Sequence, residues 1–203
     1  MFKATGIILA GGQSRRMNGR DKAQLVIETR ALIEHKVERL REWFAEVLIV
    51  CRRGQRYDYP GTKIVFDEQK GHGPLMGLYS GLKAGSYERS LVTACDMPFD
   101  NYQLARLLMK VAPESDIVVP VINGYREPML AVYHKNVLPA IKQSLAAGQR
   151  KMVSFYERLN VREIAEEEIK TADPELLSFL NVNTPVDFAR AKEIAGRRAR
   201  KHA

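Results

Sequence analysis

The segment Gly6–Lys22, GIILAGGQSRRMNGRDK, runs an apolar strand into a loop rich in glycine and cations. Gly11 and Gly12 let backbone N–H groups come close to oxygen atoms, and Arg15, Arg16 and Lys22 can neutralise a triphosphate. The pattern points to phosphate binding; the plainer alternative is a strand-to-helix turn with exposed arginines. The segment contains neither G-x-x-x-x-G-K-[ST] nor G-x-G-x-x-G, which excludes the two commonest nucleotide-binding loops. Two carboxylates follow at expected strand ends: Asp96 after Leu91–Cys95, and Asp67 after Val65-Phe66. Asp96 suits a hard cation such as Mg²⁺, completed by phosphate oxygens and water, or else caps a helix expected from Tyr102. Asp67 is either a nucleotide contact or a turn residue.

The elements that must position these groups alternate between short apolar runs and segments of helical period, the pattern of a mostly parallel sheet covered by helices on both faces. Strands are expected at 5–9, 47–51, 63–66, 91–94 and 117–120, each apolar enough for burial on both faces. Helices are expected at 31–45, 74–84, 102–111, 137–147 and 185–195, with Pro74 and Pro185 in first turns. Between Asn123 and Glu168 the alternation breaks: 129–133 reads as a strand, and 161–165 as another with antiparallel pairing open. Gly73, Gly77 and Gly81 recur every four residues, as on a helix face pressed against a sheet, and only the loop at Gly73 is kept as functional. We therefore expect one Rossmann-like α/β domain over 1–195, its N-terminal half binding nucleotide and its C-terminal half an acceptor, followed by a basic tail at 196–203.

Composition narrows the function. With 203 residues, 45% of them hydrophobic and 28% charged, the chain can bury a core and is not of disordered type. Half of the net charge of +8 comes from Arg197, Arg198, Arg200 and Lys201, which leaves a mild excess suited to small anions. No basic stripe interleaved with aromatic residues supports nucleic-acid binding. No apolar run is long enough to span a membrane, and no signal-peptide pattern opens the sequence, so a cytoplasmic protein is expected. Cys51 and Cys95 have neither disulfide-framework nor zinc-knuckle spacing. His35, His72, His134 and His202 have no ligand spacing, and no nucleophilic triad is present.

The run L-A-G-G-x-S-x-R-M-x-G-x-D-K from Leu9 to Lys22 resembles the signature of the nucleotidyltransferase superfamily, and specifically the molybdenum cofactor guanylyltransferases. Further matches follow in order: Asp67, Gly73-Pro74-Leu75, Gly77, Cys95-Asp96-Met97-Pro98, Arg126-Glu127-Pro128, Gly148-Gln149-Arg150-Lys151 and Asn181-Val182-Asn183-Thr184-Pro185. The resemblance spans nearly the whole chain. Asn18 stands where the family often has glycine, and Cys51 where some members have asparagine near the nucleotide. The resemblance implies transfer of GMP from GTP to the phosphate of Mo-molybdopterin, with release of pyrophosphate. It implies that Leu9, Ala10, Gly11, Gly12 and Asp67 face the nucleotide, that Arg16 and Lys22 hold phosphates, and that Asp96 carries Mg²⁺. Arg126, Arg150 and Lys151 become candidates for the pterin phosphate, and Asn181 and Asn183 for the pterin, although Asn183 could equally cap a helix. Recipients of the product would be molybdoenzyme apoproteins or their chaperones. Two other readings stay open: a related enzyme using CTP or a sugar phosphate, and a non-catalytic carrier of nucleotide or cofactor.

Overall fold

The computed structural model describes residues 1–11, 22–27, 29–55, 57–69, 71–111, 113 and 115–202. In chain order the elements are β1 (Phe2–Leu9), β2 (Val26–Ile27), β3 (Arg30–Ala31), α1 (Leu32–Trp43), β4 (Phe44–Cys51), β5 (Lys63–Phe66), α2 (Gly73–Ala84) and β6 (Arg89–Ala94). They continue with α3 (Tyr102–Lys110), β7 (Ile117–Ile122), β8 (Tyr125–Arg126), β9 (Leu130–His134), α4 (Leu138–Ala146), β10 (Val161–Ile164), α5 (Glu166–Ala172) and α6 (Pro185–His202). The main sheet has the order β10-β7-β9-β6-β1-β4-β5, with β8 on β7. β1 lies between parallel β4 and β6, and β9 runs antiparallel between β6 and β7.

Alternation along the central strands sends side chains to two cores. Ile8, Val47 and Ile49 join Ile33, Val37 and Leu40 of α1 and Leu104 and Leu108 of α3 on one face. Ile7, Leu9, Leu48 and Val50 join Leu75, Leu78 and Leu82 of α2 and Ile141 of α4 on the other. Helices therefore cover both faces, as the alternation of apolar runs requires.

Several boundaries and pairings differ from expectation. β5 is an edge strand whose residues range from half-buried to exposed, because nothing pairs beyond it in the described sheet. The antiparallel strand is β9, while β10 pairs parallel to β7. The β2/β3 pair and the β7/β8 hairpin are too short to give a periodic signal; the latter turns at Asn123 and Gly124, both at positive φ, as a tight hairpin of this kind requires. α6 continues past Ala195 to His202, since no proline stops it and basic residues near a helix C-terminus oppose its dipole favourably.

The glycine spacing in α2 has a steric cause. A Cβ on Gly81 would stand 2.9 Å from Ile7 Cγ2 and 3.0 Å from Val50 Cγ2, both in the β-sheet core. Gly81→Ala should therefore cost about 1–3 kcal/mol by overpacking, read as a lower urea midpoint at unchanged m-value. A midpoint equal to the parent's would mean that α2 can lift off the sheet freely.

Candidate functional site

Register brings Leu9, Ala10, Gly11, Asp67 and Asp96 to one edge of the sheet. Leu9 is level with Val50 on β4 and with Ala94 on β6, and Cys51 is level with Phe66 on β5. Bonds just past these pairs close the rim: Ala10 N–H donates to Val50 O, Asp67 N–H to Cys51 O, and Cys95 N–H to Leu9 O. Leu9, Ala10 and Gly11, then Asp67, then Asp96 thus stand at the carboxyl ends of parallel strands, where open α/β sheets bind ligands. Leu9 and Ala10 fix the lip through their sheet bonds, and described backbone extends beyond it at Gly11.

Gly11 adjoins Asp67. A Cβ on Gly11 would lie 3.5 Å from Asp67 Oδ2 and 3.5 Å from Arg52 Cγ, and one on Gly77 would lie 3.6 Å from Asp67 Oδ1. The Asp67 carboxyl therefore leans back over the end of β4, between the β1 terminus and the first turns of α2. Burial pushes its pKa up to about 6, against the opposing pull of the Arg52 guanidinium. Gln55, which the sequence does not single out, ties this corner together: its Oε1 accepts from Arg52 N, while its Nε2 donates to Ala10 O at 3.4 Å and Tyr57 Oη at 3.1 Å. No motif marks Gln55 or Arg52; only the β4–β5 register reveals them.

Asp96 is half-buried in the turn after β6. It does not cap α3, because Asn101 Oδ1 takes the N–H groups of Gln103 and Leu104. Val182 N–H donates to Asp96 O at 2.8 Å, which joins the Asn181-Val182-Asn183 segment to this turn. Asn183 is not the cap of α6 either. Thr184 Oγ1 accepts from Asp187 N, and Asp187 Oδ2 accepts from Asn183 N and Thr184 N, a reciprocal cap built on Thr184. Both side-chain roles offered as plain alternatives for Asp96 and Asn183 are thus filled by neighbours.

The second half is less concentrated. Arg126 bonds Glu163 across to β10 and lies over the Tyr156 ring, whose hydroxyl bonds the buried Tyr133 hydroxyl. Tyr133 in turn donates to Pro128 O, which anchors the Arg126-Glu127-Pro128 turn beside the carboxyl end of β6. Burial pushes the Glu127 carboxyl up. Gly148, at φ +73°, closes α4: its N–H donates to Leu145 O and the Gln149 N–H to Ser144 O. Arg150 and Lys151 follow this cap exposed, while Arg126 pairs with Glu163 and Tyr156 rather than with them. Gly12, Arg15, Arg16 and Asn18 lie outside the described residues, and Lys22 opens the single helical turn Lys22–Gln24 that leads back toward β2.

The donor set around Asp96 fits a hard cation held largely by substrate. Among the described residues no three His, Cys, Asp or Glu side chains gather as a metal site, so one carboxylate at a solvent-accessible strand end would leave the other positions to phosphate oxygens and water.

Comparison with known proteins agrees with this arrangement. The model of the MobA-like NTP transferase domain matches residues 6–163. A probable molybdenum cofactor guanylyltransferase of Pelotomaculum thermopropionicum is 39% identical over 198 residues, covering 96% of this chain and 95% of that protein. A probable molybdenum cofactor guanylyltransferase of Natranaerobius thermophilus is 35% identical, with 95% and 97% covered. The crystal structure of molybdopterin-guanine dinucleotide biosynthesis protein A from Archaeoglobus fulgidus superposes with a TM-score of 0.83 at 30% identity, over 95% of this chain and 99% of that one. A family match over most of the chain, on a fold that sets Leu9, Ala10, Gly11, Asp67 and Asp96 along a single sheet edge, places this protein in the MobA-like NTP transferase family.

Proposed function

We propose that the chain transfers GMP from GTP to the phosphate of Mo-molybdopterin, forming the guanine dinucleotide cofactor and pyrophosphate. The observation that carries this reading is the shared edge at which Gly11 and Asp67 meet while Asp96 stands on the other side of β1, in a chain of this family. An oxygen of the acceptor phosphate attacks the α-phosphorus of GTP in line, the bond to the β-phosphate oxygen breaks, and pyrophosphate leaves. The attacking phosphate is already ionised, so positioning and charge stabilisation supply the rate rather than a strong base. Asp96 would hold Mg²⁺, which supplies charge neutralisation at the α-phosphate region. Arg16 and Lys22 hold the phosphates. Leu9, Ala10, Gly11 and Gly12 shape the nucleotide site.

Asp67 is assigned to the guanine edge, where an ionised carboxylate accepts from two N–H groups. With its pKa raised to about 6, it protonates in acid that would leave an ordinary aspartate charged. GTP affinity should therefore fall as the pH drops below about 6, and Asp67→Asn should bind more weakly at neutral pH while losing that dependence. Titration of GTP binding across this range checks it; an unchanged pH profile in Asp67→Asn removes the carboxylate from the base site. The stability linkage has a definite sign. The folded state holds this proton more tightly than the unfolded chain, so Asp67 favours the fold below its ordinary pKa of 3.8, and that contribution is lost as the pH rises toward about 6.

The acceptor half is assigned to Arg150 and Lys151, with Asn181 and Asn183 reaching the pterin from the segment bonded to Asp96. Replacing Arg150 and Lys151 together by alanine should raise KM for molybdopterin and leave GTP affinity near the parent's. Equal loss of both affinities would end the division of labour between the halves. The whole assignment is tested by measuring pyrophosphate release with GTP, ATP, CTP and UTP, with and without molybdopterin. GTP-dependent release that requires molybdopterin is expected; preference for CTP, or binding without turnover, would select one of the other readings. No helix among the described residues is long and apolar enough to cross a membrane, and both cysteines are buried thiols, which suits a cytoplasmic enzyme passing its product to a molybdoenzyme apoprotein or chaperone.

A further inference from the structure

Beside the metal turn, away from the nucleotide rim, α6 roofs a cavity of about 360 Å³. Its floor is apolar: Ile27 of β2, Leu32 of α1 and Phe99 are all buried, and buried Ala195 of α6 faces them from the roof. Its mouth is cationic. Arg39 on α1 and Arg198 on α6 both line it and stand exposed, and Arg198 lies over the Phe99 ring at 5.8 Å. Neither guanidinium meets a carboxylate among the described residues. The one acidic side chain in the lining, Asp100, is neutralised by Lys36, whose Nζ lies 2.5 Å from Asp100 Oδ1. His35 adds a ring whose Nε2 bonds Ile27 O at 3.1 Å, so the carbonyl fixes Nε2 as the donor and leaves Nδ1 for another partner. None of Leu9, Ala10, Gly11, Asp67 or Asp96 lines this cavity.

We infer that this cavity is a second ligand site, for a phosphate monoester carried on a small ring. The volume falls in the range of small-molecule pockets, and an apolar floor with a few convergent polar groups is their usual chemistry. Two guanidiniums lining one cavity match a phosphate dianion better than a carboxylate, since one fork already occupies both carboxylate oxygens, whereas a phosphate monoester has three terminal oxygens and two charges to share between two forks. The ring lies on Ile27, Leu32 and Phe99. The basic end of α6, an appendage by sequence alone, is one wall of the site. The ligand sits against Pro98-Phe99-Asp100, the segment that follows the Asp96 turn directly, so occupancy is felt within four residues of the proposed metal ligand. The inference concerns a separate pocket and holds whichever nucleotide the rim transfers.

Phenyl phosphate is the probe, followed by calorimetry on the full chain with saturating GTP and Mg²⁺ so that the nucleotide rim is occupied. Saturable binding is expected, weaker for inorganic phosphate, which lacks the ring. Arg39→Gln and Arg198→Gln should each weaken it by about tenfold or more, the scale of a lost charge-assisted hydrogen bond. Ala199→Trp, on the exposed rim of the cavity, should block it by bulk alone without removing a charge. All three positions are exposed, and circular dichroism should report parent-like folding. Absence of saturable binding, equal affinity for inorganic phosphate, or affinity unchanged in both arginine variants overturns the inference.

Discussion

Asp96→Asn and Lys22→Ala should each lower kcat by roughly 10²–10³, equivalent to about 2.7–4 kcal/mol of transition-state stabilisation. The asparagine keeps the shape of the aspartate but removes the charge that a hard cation requires. The turn itself should hold, because its bond to the α6 approach is made by backbone, Val182 N–H to Asp96 O, and α3 is capped by Asn101. Unfolding midpoints should therefore stay close to the parent's. The two variants separate on Mg²⁺ titration. Raising the cation partly restores Asp96→Asn by mass action, since the phosphates and water still offer ligands. It should do nothing for Lys22→Ala, which lacks the charge proposed to hold the triphosphate. Parent-like turnover by Asp96→Asn in limiting Mg²⁺ would move the metal elsewhere on the rim.

The division between what the sequence shows and what only the fold shows follows from physical range. β1, β4, β6 and β7 are legible because strands buried on both faces read as unbroken apolar runs, and Gly77 and Gly81 because helix-on-sheet contact repeats every turn. Asp67 and Asp96 are legible because strand ends in such a sheet point at one rim. Direction is not legible in the same way: the tight turn at Asn123-Gly124 and the short return through β8 decide that β9 opposes its neighbours, and the connection through α4 and the long return at 147–160 decide that β10 follows β7. The local partners of motif residues are not legible either: Gly148 closes α4, and Arg126 bonds Glu163 on β10. Contacts between distant residues, such as Gln55 with Ala10, leave no periodic trace at all.

Lys36 belongs to that last class, and its removal should be among the costliest single changes in the chain. A lysine within the amphipathic pattern of α1 reads as a solvated charge, yet its side chain is 1% exposed. Its ammonium donates to Asp100 Oδ1 at 2.5 Å and to Thr93 Oγ1 at 3.0 Å, and the Asp100 side chain is itself only 8% exposed. The pair pins α1 to the carboxyl end of β6 and to the segment that follows Asp96. Breaking a buried pair leaves the remaining charge without compensation, which costs about 3–5 kcal/mol. Asp100→Ala should stand at the upper end, because it strands an ammonium with almost no access to water. Lys36→Met should cost less, because it fills the same volume and Asp100 lies nearer the cavity mouth. The double variant should recover much of the loss, since two neutral side chains require no desolvation of charge, so the cycle in urea should show strong non-additivity. Single variants within about 1 kcal/mol of the parent would show that the pair reaches solvent. The readout that connects this anchor to catalysis is Mg²⁺ dependence. If α1 and Asp100 position the Asp96 turn, the double variant will fold nearly as stably as the parent and still require more Mg²⁺ for half-maximal turnover, because its carboxylate is present but no longer held in place.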